Sequence, residues 1–156
     1  MASTYAISLA SVPVDQIDRI RRHHDSRAHI DLVATRVEHC PHDLTGIELF
    51  PLGTVLAEAV DIGQPLRNDG WHPLRAPIVI DPETVTARAM RLDAAYGAVA
   101  DELGGMMAEV LGADIKKVID LYAHASARGE AVVSFLSAPT DHDQASATLV
   151  PQVRLG

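Results

Sequence analysis

The chain has 156 residues, 47% of them hydrophobic, and carries a formal net charge of −8. That length and apolar content suit one domain with a packed core and exclude global disorder. The acidic balance argues against a nucleic-acid partner, whose phosphates are bound largely by clustered Lys and Arg.

Tyr5-Ala6-Ile7-Ser8-Leu9 alternates as a first strand. Pro13 opens a short helix in which Val14, Ile17 and Ile20 share one face. A second helix is predicted from Ser26 to Glu38, where Ile30, Val33 and Val37 recur at three and four residues, and Cys40-Pro41 ends it. Leu52, Leu56 and Val60 predict a helix beginning near Pro51. Asp61 to Pro77 holds Gly63, Pro65, Gly70, Pro73 and Pro77 with the turn signal Asn68-Asp69-Gly70, and reads as a long internal loop. Loops of that size are more often functional than ordinary connectors are. Ile78-Val79-Ile80 is a short strand. Asp81-Pro82-Glu83 starts a helix, with an N-cap, proline at the first position and acid in the first turn. Val85, Leu92, Tyr96, Val99 and Leu103 face the core along it until Gly104-Gly105, and Met106 to Leu111 adds a further turn or two. Asp114 is expected to cap the last helix, whose stripe is Ile115, Val118, Ile119 and Tyr122 and whose stop is Gly129. Ala131 to Leu136 is the final strand.

This order predicts an α/β (α+β) chain: one compact domain over residues 1–138, with a small mixed sheet packed with several helices, and a polar tail over 139–156. Aromatic residues are 4% of the chain, so the core is aliphatic. No apolar run approaches the roughly 20 residues that cross a bilayer, so no membrane partner is expected. Met1 to Leu9 lacks the basic and apolar regions of a signal peptide, and the lone Cys40 cannot form an internal disulfide. Both point to the cytoplasm.

The stretches from His72 through Arg75, Ile78-Val79-Ile80 and Asp81-Pro82-Glu83-Thr84-Val85, and from Leu121 through His124, Arg128 and Gly129 to Val133, resemble the YfbM-like family. Pro51 to Ile62 is loosely similar to the helix that precedes the loop in that family. The family is of unknown function, so the resemblance implies a fold and no chemistry.

Three places could hold chemistry. His39, Cys40, His42 and Asp43 are of the types that bind zinc, and a histidine beside a thiol is the basis of cysteine nucleophiles. Neighbours on an extended chain point to opposite sides, however, which leaves a buried thiol beside two surface histidines as the other reading. In the loop, Asp69, Trp71, His72 and Arg75 could line a pocket for a small anionic or planar ligand, with Arg75 gripping a carboxylate or phosphate. Alternatively Trp71 covers the core and Arg75 pairs with a surface acid. His23 and His24 beside Asp25 could act as general bases, or form a solvated helix end with Arg19, Arg21 and Arg22. Glycine-rich phosphate loops, the Gly-x-Ser-x-Gly elbow and paired zinc motifs are missing from the sequence.

The preferred expectation is a domain that binds or processes a small molecule, with catalytic candidates His72, His23 and His24 and ligand-binding candidates Trp71, Arg75 and Asp69. A protein-interaction module with an acidic surface and a metal-dependent enzyme using His39, Cys40 and His42 are the alternatives. No cofactor, substrate or oligomeric state is implied.

Overall fold

Alternation along β1 (Ala6–Val12) sends Ile7 and Leu9 to one side and Ala10 and Val12 to the other, and all seven residues are buried. A strand buried on both sides needs cover on both. A computed structural model, describing residues 6–22, 26–41, 52–66, 71, 75–103 and 107–137, supplies it. A 3-10 turn (Val14–Gln16) leads into α1 (Ile17–Arg22), followed by α2 (Ser26–Val33), β2 (Arg36–Pro41), α3 (Leu52–Asp61), β3 (Gln64–Pro65), β4 (Ile78–Ile80), α4 (Pro82–Leu103), α5 (Met107–Arg128) and β5 (Ala131–Ser137).

The sheet order is β2-β1-β5-β4-β3. The α/β class stands, and every described pairing is antiparallel rather than mixed. One face, here the α5 face, carries Ile7, Leu9, Cys40, Ile80, Val132 and Leu136 under α3, α4 and α5. The opposite α2 face carries Ala10, Val12, Val79, Val133 and Phe135 under Ile17, Ile20 and Ile30 of the short helices. Both clusters are mainly aliphatic, with Tyr122 the ring buried in the first and Trp71 and Phe135 those in the second.

Four expectations are corrected. The second helix stops at Val33, and Arg36–Pro41 is a strand paired with β1 from Ala6 to Ser11. Val33 and Val37, four residues apart, fit a two-residue period as well as a helical one, and pairing with β1 decides between them. Val14 is 58% exposed, because the chain begins with a 3-10 turn there and only Ile17 and Ile20 turn inward. Asp114 is no cap. It lies inside α5, ion-paired with Lys117 at 3.6 Å. The long loop contains β3, which pairs Gln64 with Val79. Gly63 permits that approach: a Cβ there would collide with Ile78 and lie 2.6 Å from the Val79 carbonyl oxygen. Gly129 ends α5 in the left-handed region, at φ 66°, as its place in the sequence predicts.

Candidate functional site

Strand parity decides which candidate residues meet. His39 and Cys40 leave β2 on opposite sides. Cys40 enters the aliphatic core at 1% exposure, with its thiol 3.6 Å from the Asp114 carbonyl oxygen. Burial, with the nearby Asp114 carboxylate, pushes the thiol up to about 12. It is therefore protonated at neutral pH, and His39 is not beside it to take the proton. Among the described residues no group of three His, Cys, Asp or Glu could hold a metal. His42 and Asp43 lie outside the described residues.

His39 turns to the α2 face. Its Nδ1 is 2.8 Å from Ser8 Oγ, and Ser8 is fully buried. Ser8 lies opposite His39 on one side and opposite Phe135 on the other, so the three form a row across β2, β1 and β5. Trp71 closes on the end of that row. Its ring centroid is 5.1 Å from that of Phe135 with the planes tilted by 60°, a favourable aromatic geometry. Trp71 Nε1 donates to Ser26 Oγ at 2.6 Å, at the start of α2. Arg27, next along α2, sets its guanidinium carbon 5.1 Å from the Phe135 centroid and 5.7 Å from that of Trp71. A cation at such distances is held by ring quadrupoles. Two separate sequence candidates, His39 and Trp71, thus come to one face of the sheet.

Arg75 goes elsewhere. Its Nη2 reaches the Val60 carbonyl, Asp61 at 3.1 Å and Ser134 Oγ at 3.2 Å. Ser134 alternates with Val133 and Phe135, so it belongs to the α5 face, with Val132 and Leu136. Arg75 therefore shares no wall with Trp71. It serves the last turn of α3, together with Arg88, which donates to the Ile62 carbonyl at 2.6 Å, and Tyr122, which donates to the Ala59 carbonyl at 2.5 Å. Cationic donors belong at a helix C-terminus, where carbonyls lack partners. Burial lowers the Arg75 pKa and Asp61 opposes that shift. His23, His24, Asp69 and His72 lie outside the described residues.

Sequence reasoning missed Ser8, Arg27 and Phe135. A serine inside the apolar alternation of β1 was a readable signal, since a buried hydroxyl needs a partner. Nothing in the sequence singled out Arg27. Two shallow grooves lie away from the row. One, about 300 Å³, runs between α3 and α4 beside Val55, Arg91 and Ala95, and the other, about 310 Å³, runs between α4 and α5 beside Met90 and Ala123. Neither contains a candidate residue. No described helix is long and apolar enough to cross a membrane.

No family model matches the chain, and no curated protein matches it. Among solved structures, the protein of unknown function YfbM from Escherichia coli is similar at a TM-score of 0.54, covering 85% of this chain and 99% of that one. The chain has a YfbM-like fold. Identity to YfbM is 13%, so the likeness carries the fold alone. The YfbM-like arrangement of sheet and helices agrees with the resemblance in the sequence, and the chemistry has to be argued from the side chains of this chain.

Proposed function

We propose that the α2 face binds a small, planar or anionic molecule, and that His39 handles a proton on it. One observation carries the reading: the hydrogen bond between His39 Nδ1 and Ser8 Oγ, 2.8 Å, at the open end of a row that finishes in the Phe135, Trp71 and Arg27 stack. Ser8 orients the imidazole through Nδ1, as a fixed partner does in general acid–base pairs. Trp71 and Phe135 are buried and hold the Arg27 guanidinium against their faces, and its positive charge favours an acid.

The reading calls for a screen of ring-bearing carboxylates and phosphates by thermal shift, with emission of Trp71, the chain's single tryptophan, as reporter. A hit is expected to raise the melting temperature and change the emission. His39→Ala is expected to weaken such a hit by about tenfold, the worth of one charge-assisted hydrogen bond. Silence across the screen, or hits indifferent to His39→Ala, would overturn the proposal.

A further inference from the structure

Three residues along from the Ser8 row, at the other end of β1 and on the α5 side, sits a polar cluster that the proposed function does not use. Glu130 is 4% exposed and directly precedes β5. Its Oε1 accepts from Ser11 Oγ at 2.5 Å and from Thr35 Oγ1 at 2.7 Å, and its Oε2 accepts from Arg128 Nε at 3.2 Å. Thr35 Oγ1 also lies 3.2 Å from the Ser11 carbonyl oxygen and 3.4 Å from His124 Nε2.

The proton count settles the histidine. Thr35 has one hydroxyl proton, and both of its other neighbours, a carboxylate and a carbonyl, can only accept. Toward His124 the hydroxyl can therefore only accept, so Nε2 must carry the hydrogen. In the neutral ring Nδ1 is then the lone-pair nitrogen. Among the described residues nothing bonds Nδ1, and Glu130 takes only the Nε of Arg128. His124 and Arg128 are four residues apart on α5, hence neighbours on one face, and the Arg128 side chain is 56% exposed. One turn back, Arg36 donates to the Asp120 carbonyl at 3.3 Å and pairs with Glu38, while the Asp120 carboxylate pairs with Lys116.

We propose that His124 and Arg128 form a second small-ligand site, for an oxyanion that bears an acidic hydroxyl. The hydroxyl donates to Nδ1 of His124, and the anionic oxygens accept from the Nη groups of Arg128. Thr35 and Glu130 are positioning residues that hold the tautomer. The negative end of α5, about half a unit of charge, opposes an anion, and the full charge of Arg128 exceeds it. Local neutrality, with Glu38 and Glu130 beside Arg36 and Arg128, makes recognition a matter of matched donors and acceptors rather than net charge.

Nitrogen NMR of the imidazole and titration with inorganic phosphate and with sulfate test it. The measurements are made above the pH at which the resonance of His124 itself shows the ring to be neutral. The expected spectrum is that of the Nε2–H tautomer, mixed with the other form in Thr35→Val. Hydrogen phosphate, which keeps a hydroxyl proton, is expected to bind at least several-fold more tightly than sulfate, which has none, and His124→Ala is expected to erase that preference. An Nδ1–H tautomer in the native protein, a tautomer unmoved by Thr35→Val, or equal response to the two anions would each overturn the assignment.

Discussion

Cys40 and Glu130 are both buried and both able to ionise, and the fold treats them oppositely. Cys40 lies in the core with one long contact to the Asp114 carbonyl, so burial, with the Asp114 carboxylate nearby, holds it protonated, with a pKa raised from 9.0 to about 12. In the native protein it is expected to react with iodoacetamide far more slowly than in urea, since the thiolate is the nucleophile. Equal rates would mean that the strand does not bury it. The same shift makes stability fall as pH rises above 9.0, where the unfolded chain loses the thiol proton and the folded chain keeps it. For Glu130, burial opposes the charge, and hydrogen bonds from Ser11, Thr35 and Arg128 outweigh it, leaving the carboxyl below its usual 4.5. A depressed carboxyl stabilises the fold fully above its unfolded value, and the contribution is lost as pH falls through the folded one. Glu130→Gln is expected to cost about 1–3 kcal/mol at neutral pH. The gap from the native protein should narrow below pH 4.5, measured by urea unfolding. A gap constant with pH would mean that the charge contributes nothing.

At the scale of elements, the end of α3 shows how tertiary partners replace a local stop signal. Val60 runs into Asp61, Ile62 and Gly63, and the carbonyls of Ala59, Val60 and Ile62 are met by Tyr122, by Arg75 with Ser134, and by Arg88. Tyr122→Phe keeps the ring in the core and strands the Ala59 carbonyl, so it is expected to cost about 1–3 kcal/mol in chemical denaturation. A neutral result would show that water reaches that carbonyl. Gly63→Ala forces a methyl against β4 and is expected to cost about 1–3 kcal/mol by overpacking. Pro82–Leu103 and the final strand, Ala131–Ser137, were legible with their ends, whereas the first strand was read only as far as Leu9 and the helix Leu52–Asp61 only by its start near Pro51. Arg36–Pro41 was not legible, because Val37 continues the spacing of Ile30 and Val33 and only pairing with the backbone of β1 makes the segment a strand. Of the candidate site, Trp71 and His39 were legible as residue types. Their sharing a face was not, since that depends on the register of three strands.

For the whole molecule, one sheet lies between two clusters, and β1 contributes to both, with Leu9 on one side and Ala10 on the other. Neither cluster has a sheet of its own, so the two are expected to unfold together. Emission from Trp71 on the α2 face and far-ultraviolet dichroism from the helices of the α5 face should give one midpoint. Leu9→Ala should lower both readings equally, by about 2–5 kcal/mol. Separate midpoints would mean that α1 and α2 open on their own. By itself the sequence determined the aliphatic core, the one-domain scale and most elements, because these follow from periodicity and end signals within a few neighbouring residues. Tertiary structure alone decided that Cys40 and His39 part company, that Arg75 belongs to a helix end, and that Ser11, Thr35, His124 and Glu130 meet. Those outcomes rest on strand pairing between segments tens of residues apart, where a shift of one residue would turn every side chain to the other face.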